Sequence, residues 1–145
     1  MIITLTTDFG ASDSYASVMK GVILGINPNA VIIDVSHEVP PQQTFHAALA
    51  VRNAHRYFPE DTVHVAVVDP AVGSERKIIA VEANSQTFIA PDNGVLHYIF
   101  QLYSDYSVVE VTNDHLFLDK VSSTFHGRDI FAPCAAHLSL GNPVS

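Results

Sequence analysis

The run Val63-His64-Val65-Ala66-Val67-Val68, closed by Asp69-Pro70-Ala71-Val72-Gly73-Ser74-Glu75-Arg76, restricts the folds open to this chain more than any other stretch. A near-continuous apolar run of β-formers reads as a strand buried on both faces, the pattern of a parallel sheet held between helices. Pro70 and Gly73 break the run and open a short loop. In open α/β sheets, ligands sit beyond the carboxyl ends of the strands. Asp69 stands at that edge and the loop returns Arg76 beside it. The plain alternative is a surface ion pair that only tidies a turn.

The rest of the chain alternates strand and helix around this run. Residues 2–6 read as a first strand, followed by Thr7-Asp8-Phe9-Gly10. Ser12 or Asp13 is placed to cap a helix that reaches about Gly25 and stops at Asn27-Pro28. Residues 31–35 read as a second buried strand ending at Ser36-His37-Glu38, and Pro40-Pro41 marks a loop. Residues 43–58 carry a helical apolar pattern through Phe45, Leu49 and Tyr57. Residues 77–82 and 87–90 are strands about a turn at Asn84-Ser85, and Pro91-Asp92-Asn93-Gly94 starts a helix over 95–103. Residues 107–111 form another strand, residues 116–118 have no assignment, and Asp129 is placed to cap a last helix over 129–140, stopped by Gly141-Asn142-Pro143. The alternation predicts an α/β fold with a largely parallel central sheet and helices on both faces, one domain over residues 1–145.

Composition removes several functions. A formal charge of −8 with seven Lys and Arg argues against nucleic acid as a partner. No apolar run approaches the length of a membrane span and no basic residue precedes Lys20, so neither a membrane nor a signal peptide is expected, and the predicted location is cytoplasmic. The single Cys134 lies in the apolar run Phe131-Ala132-Pro133-Cys134-Ala135-Ala136, which predicts a buried, inert thiol. None of the eight histidines has metal-ligand spacing such as H-E-x-x-H, so no metal site is predicted. G-x-G-x-x-G, the P-loop pattern and G-x-S-x-G are absent, which takes away the main support for dinucleotide, nucleoside-triphosphate and α/β-hydrolase readings.

Four polar clusters follow a strand or precede a helix: Thr6-Thr7-Asp8, Asp69 with Arg76, Pro91-Asp92-Asn93-Gly94, and residues 122–129. Strand ends of one sheet converge, and convergence makes a small-molecule pocket. Asp8 suits a ribose diol, because one carboxylate accepts from two hydroxyls; the alternative is an Asx turn or a helix cap. His126, beside Gly127, lies on a loop from which an imidazole reaches into such a pocket, or serves structure alone. Arg128 reads as a solvated or packing residue.

Taken in order, Thr6-Thr7-Asp8-Phe9-Gly10, Met19-Lys20-Gly21, Ile26-Asn27-Pro28, Val67-Val68-Asp69-Pro70-Ala71-Val72-Gly73-Ser74, Ala90-Pro91-Asp92-Asn93-Gly94 and Thr124-Phe125-His126-Gly127-Arg128-Asp129-Ile130-Phe131-Ala132-Pro133 make a pattern that resembles the S-adenosyl-L-methionine hydroxide adenosyltransferase family. That family is related to the S-adenosylmethionine-dependent fluorinase and chlorinase. The resemblance implies hydrolysis of S-adenosylmethionine to adenosine and methionine by water or hydroxide attacking ribose C5′, with no cofactor. By motif, the catalytic set falls on Asp69, Arg76 and His126, and substrate binding on Asp8 and Asn93. The halogenating relatives lack the Asp/Arg/His set, which points to water as nucleophile and leaves the base open between Asp69 and His126. The resemblance also implies a homotrimer and a second, β-rich domain that is absent from this chain, so a self-sufficient fold with feeble turnover is expected. Two other functions compete: a non-catalytic nucleoside-binding or assembly domain, and a phosphate-ester or nucleotide hydrolase using carboxylates with a metal.

Overall fold

In the computed structural model, which describes residues 1–145, the chain runs β1 (Ile2–Thr7), α1 (Tyr15–Ile26), β2 (Val31–Ser36), α2 (Thr44–His55), β3 (Val63–Val67), β4 (Ile78–Ala83), β5 (Gln86–Pro91), α3 (His97–Leu102) and β6 (Tyr106–Glu110). A short 3₁₀ turn (Asp114–Leu116), a π-helical turn (Gly127–Phe131) and α4 (Ala132–Ser139) follow. The six strands form one sheet in the order β2-β1-β3-β5-β4-β6. β1 pairs in parallel with β2 and β3, and β3 in parallel with β5, while β4 is antiparallel to both β5 and β6. The β4–β5 hairpin closes at Asn84 and Ser85, whose φ values of 53° and 56° are those of the type I′ turn that a two-residue connection favours.

β3 is buried along its whole length because both faces of the sheet are covered. Its side chains alternate. Val63, Val65 and Val67 pack with Met19 and Ile23 of α1 and Ala135 of α4, while Ala66 and Val68 pack with Ala47 and Val51 of α2 and Ile99 of α3. The expected α/β architecture is therefore the observed one. Cys134 is buried as expected, and burial pushes its thiol pKa up to about 12. No helix is long and apolar enough to cross a membrane.

Local expectations fail where tertiary placement overrides pattern. Residues 31–35 are not a buried strand: β2 is an edge, with Val31 52% and Ile33 38% exposed. An apolar run tells that a strand is β, and topology alone tells whether it is interior. Neither Ser12 nor Asp13 caps α1; Ser14 holds that position and makes no side-chain cap bond. α2 ends at His55, short of residue 58, and part of the unassigned 116–118 stretch becomes the end of the 3₁₀ turn. Asp129 is not an N-cap, because the π turn extends the last helix by a turn ahead of it and leaves Asp129 inside, fully buried.

Candidate active site

β1 and β3 are neighbours in register, Thr7 opposite Val67, so Asp8 and the Val68-Asp69 pair leave the same edge of the sheet from strands about 4.8 Å apart. Beside them, after β5, Asn93 donates from Nδ2 to the Val68 carbonyl (2.9 Å) and accepts from Val95 N (3.2 Å), tying that strand end to the residue before Asp69.

The loop after β3 brings Arg76 back onto Asp69. Arg76 Nε donates to Asp69 Oδ2 at 2.8 Å and Nη2 donates to the same oxygen. Nη2 also donates to His126 Nδ1 at 2.7 Å. The pair is not a surface turn-tidying contact: Asp69 and Arg76 side chains are 4% and 10% exposed, and His126 is 8% exposed. Both Arg76 bonds fall on one carboxylate oxygen, and the other, Oδ1, is buried without a hydrogen-bond partner.

A guanidinium only donates, so Nδ1 of His126 accepts and the ring is neutral, with its proton on Nε2. Burial, and then the adjacent Arg76 charge, push the His126 pKa below the usual imidazole value, against the opposing pull of a backbone hydrogen bond at Ser122 and the charges of Asp69 and Asp129.

Two loops make this contact possible. Gly73 adopts φ +79°, and a Cβ there would lie 2.2 Å from the Ser123 carbonyl oxygen. The loop bearing Arg76 thus touches the loop leading to His126 backbone to backbone. Beneath the second loop, the buried Asp129 accepts from Ser122 N (2.8 Å) and from Arg128 Nε (2.6 Å). Burial alone would raise the Asp129 pKa, but the bonds from Arg128 and Ser122 outweigh it and hold the carboxyl below the usual range. Arg128 also lies over the Phe125 ring, 5.0 Å from its centroid. Arg128 and Asp129 therefore buckle the segment that presents His126. The clue in the sequence was a carboxylate opening the apolar run Ile130-Phe131-Ala132, where an ion has to be paired.

Asp8 does not touch the three. It is half-buried and caps no helix; its Oδ2 accepts from Gln42 N at 2.8 Å. Between the two halves stands an aromatic group that sequence reasoning missed: Phe9, Tyr15 and Phe125, with Phe9–Phe125 and Tyr15–Phe125 centroids 5.8 and 5.0 Å apart. Phe9 follows Asp8 and Phe125 precedes His126, so spacing along the chain gave no sign that they meet. Five depressions of about 200 to 410 Å³ are lined by residues other than Asp8, Asp69, Arg76 and His126; the largest of the five lies at the amino ends of the strands beside Met1, Val63 and Gln86, and another, lined by Pro91, Asp92 and Gly94, adjoins Asn93.

Residues 3–145 match the model of the SAM hydroxide adenosyltransferase N-terminal domain. A protein of Methanocaldococcus jannaschii named (R)-S-adenosyl-L-methionine hydrolase is 44% identical over 146 residues, 97% of this chain and 54% of the relative. A fluorinase from an Actinoplanes species is 27% identical over 99% of this chain and 56% of its own. A crystal structure of an uncharacterized conserved protein from Thermotoga maritima superposes with a TM-score of 0.94 at 46% identity, covering 100% of this chain and 56% of that one. The chain spans about half the length of the curated relatives it matches.

Proposed function

The chain belongs to the SAM hydroxide adenosyltransferase family, and from that membership we propose that it forms the water-activating part of a site that hydrolyses S-adenosyl-L-methionine to adenosine and methionine. The observation that carries the reading is the state of Asp69: one carboxylate oxygen saturated by Arg76, the other buried and without a partner. Asp69 leaves the sheet edge shared with Asp8, and a water admitted to Oδ1 by a small shift of the loop that carries Arg76 gives that atom its missing hydrogen bond.

The chemistry asks little more. The sulfonium is already a leaving group, so no acid is needed. As the water oxygen bonds to C5′, the C5′–S bond breaks and its electron pair goes to sulfur, which becomes the thioether of methionine. The attacking water grows strongly acidic as it bonds, so a carboxylate is base enough to take its proton, which then passes to solvent. Arg76 pairs with Asp69 and aims its carboxylate. His126 orients Arg76, because its Nδ1 lone pair is already engaged by the guanidinium. Asp69 is thus the base and His126 a positioning residue. Positioning of water and substrate in line supplies much of the rate.

An anionic Oδ1 repels halide at close range, which favours water over the chemistry of the fluorinase. The name of the 44% identical relative supports the (R)-sulfonium epimer as substrate. The remaining walls, for adenine and methionine, come from a second domain of the family type, contributed by a neighbouring subunit of a trimer.

The test is adenosine release from the separate (R) and (S) epimers in heavy-oxygen water, by this chain alone and by the chain extended with a family second domain. Label in the adenosine hydroxyl, chelator-insensitive and faster for the (R) epimer, is expected from the extended form. Binding of nucleoside without any release would favour a non-catalytic nucleoside-binding domain. Turnover of phosphate esters that stops with chelator would replace both.

A further inference from the structure

The Asp8 side of the site is held by a second loop, residues 36–43, through contacts that no catalytic role explains. Gly10 N donates to the His37 carbonyl (2.7 Å), Val39 N to the Thr7 carbonyl (3.4 Å) and Gln42 N to Asp8 Oδ2 (2.8 Å). Behind them runs a side-chain relay: Lys20 Nζ donates to Asp34 Oδ2 (2.6 Å), His37 Nε2 bonds Asp34 Oδ1 (2.8 Å), and His37 Nδ1 bonds Thr7 Oγ1 (2.7 Å). Asp34 only accepts, so Nε2 bears the proton; in the neutral ring Nδ1 then accepts from the fully buried Thr7 hydroxyl. The Thr7 oxygen in turn accepts from Phe9 N at 3.3 Å, on the far side of Asp8. Gln42 takes φ +63°, a left-handed conformation rare outside glycine. Strain of that kind persists where the surroundings over-determine it, commonly at functional sites.

We propose that Gln42 and His37 are positioning residues that set specificity for the ribose diol, an inference that rests on the nucleoside reading of the site above. The Gln42 N–H occupies one lone pair of Asp8 Oδ2 and fixes the plane of the carboxylate. Oδ1 and the remaining lone pair of Oδ2 are left side by side to accept from two cis hydroxyls. His37, locked between Asp34 and Thr7, fixes the loop that delivers that N–H.

The experiment compares the affinity of the chain for adenosine and for 2′,3′-dideoxyadenosine by NMR titration, with thermal unfolding as the control for integrity. Wild type is expected to prefer adenosine by about tenfold or more, the yield of charge-assisted hydrogen bonds. Gln42→Pro, which removes the N–H and cannot reach φ +63°, and His37→Phe, which cuts the relay, should bring the preference close to unity while leaving dideoxyadenosine affinity within about twofold. Gln42→Gly keeps the N–H and adopts the backbone conformation freely, so it should keep the preference. Folded Gln42→Pro or His37→Phe protein with an undiminished preference overturns the proposal and leaves the ribose role of Asp8 standing. An equal loss for both nucleosides also overturns it, since the loop would then be merely structural. A wild type that binds both nucleosides alike sinks the ribose role itself and the proposal with it.

Discussion

Strand β3 has two buried polar clusters, one along its length and one at its end, and they differ in what they leave unpaired. Within the strand, His64 bonds Thr4 Oγ1 through Nδ1 (2.8 Å), stacks on Phe88 with centroids 4.9 Å apart, and meets Phe58 and His55 edge-on. Its Nε2 and the Oε1 of Gln86 are both buried without a geometrically good bond. They are complementary, though, an N–H and an amide oxygen, and a Gln86 hydrogen bond figures among the influences on His64. At the end of the strand, Asp69 Oδ1 is orphaned with no donor in the chain. An orphan whose complement lies within the protein is core architecture; an ionised orphan without one at a sheet edge asks for a partner from outside. That contrast, more than burial or any shifted pKa, separates the candidate site from the core.

The sharpest way to break the contrast is to neutralise each orphan. Asp69→Asn keeps the shape but cannot take a proton, and turnover by the extended form should fall by about 10³-fold, within the range for a general base, with KM nearly unchanged. His64→Gln should leave turnover unchanged and reduce only stability. If the Asp69→Asn enzyme kept more than about a tenth of its turnover, the base assignment would be lost. Next in size comes Gly73→Ala, which changes no functional side chain. The added methyl meets the Ser123 carbonyl and the φ of +79° disfavours alanine, so the two loops part and the 2.7 Å Arg76–His126 bond opens. Displacement on the order of 1 Å is expected to lower kcat about a hundredfold, with the melting temperature moving only a few degrees.

The difference between the two clusters was legible only in part from the residues. The apolar run ending in Asp69 announced a central parallel strand with a carboxylate at its ligand-binding end, the loop after it returned Arg76 to that carboxylate, and the motif resemblance joined His126 to the pair. Both readings use local order, which sequence retains. What sequence does not retain is which strand lies at an edge, hence the exposed Val31 and Ile33, or which loops touch, hence the unforeseen roles of Gly73 and of the Phe9, Tyr15 and Phe125 group. Asp before an apolar helix is ordinarily a cap, and local order does not reveal the π turn over Gly127–Phe131 that places Asp129 inside and buries it.

A third measurement sharpens the core side of the comparison. Burial, with the nearby His55 charge adding to it, depresses the His64 pKa from 6.5 to about 4. Below pH 6.5 the unfolded chain therefore takes a proton that the folded chain refuses, so stability is fully present above 6.5 and is lost as pH falls toward 4. The loss amounts to about 3 kcal/mol at most. Urea unfolding at pH 7 and pH 4.5 should reveal it, and His64→Gln should flatten the difference. An unchanged slope in that variant would move the effect to other groups, His126 first, since its pKa is lowered in the same direction.

The smallest expected effect is also the one that decides between the two candidate bases. His126 accepts from Arg76 through Nδ1 at 2.7 Å, and an asparagine oxygen at that position offers the same kind of acceptor. If His126 only orients Arg76, His126→Asn should lose no more than about tenfold in kcat, far less than Asp69→Asn. The pH profile gives a separate readout. Protonating His126 puts a hydrogen on the nitrogen that faces the guanidinium, breaks the bond and sets two cations together. Wild-type activity should therefore fall as pH drops through the His126 pKa, which lies below the ordinary histidine value. In His126→Asn that imidazole is gone, and the acid limb should move to lower pH. A His126→Asn enzyme as inactive as Asp69→Asn would make the imidazole the base after all, and Arg76 would then have to release Nδ1 before each turnover.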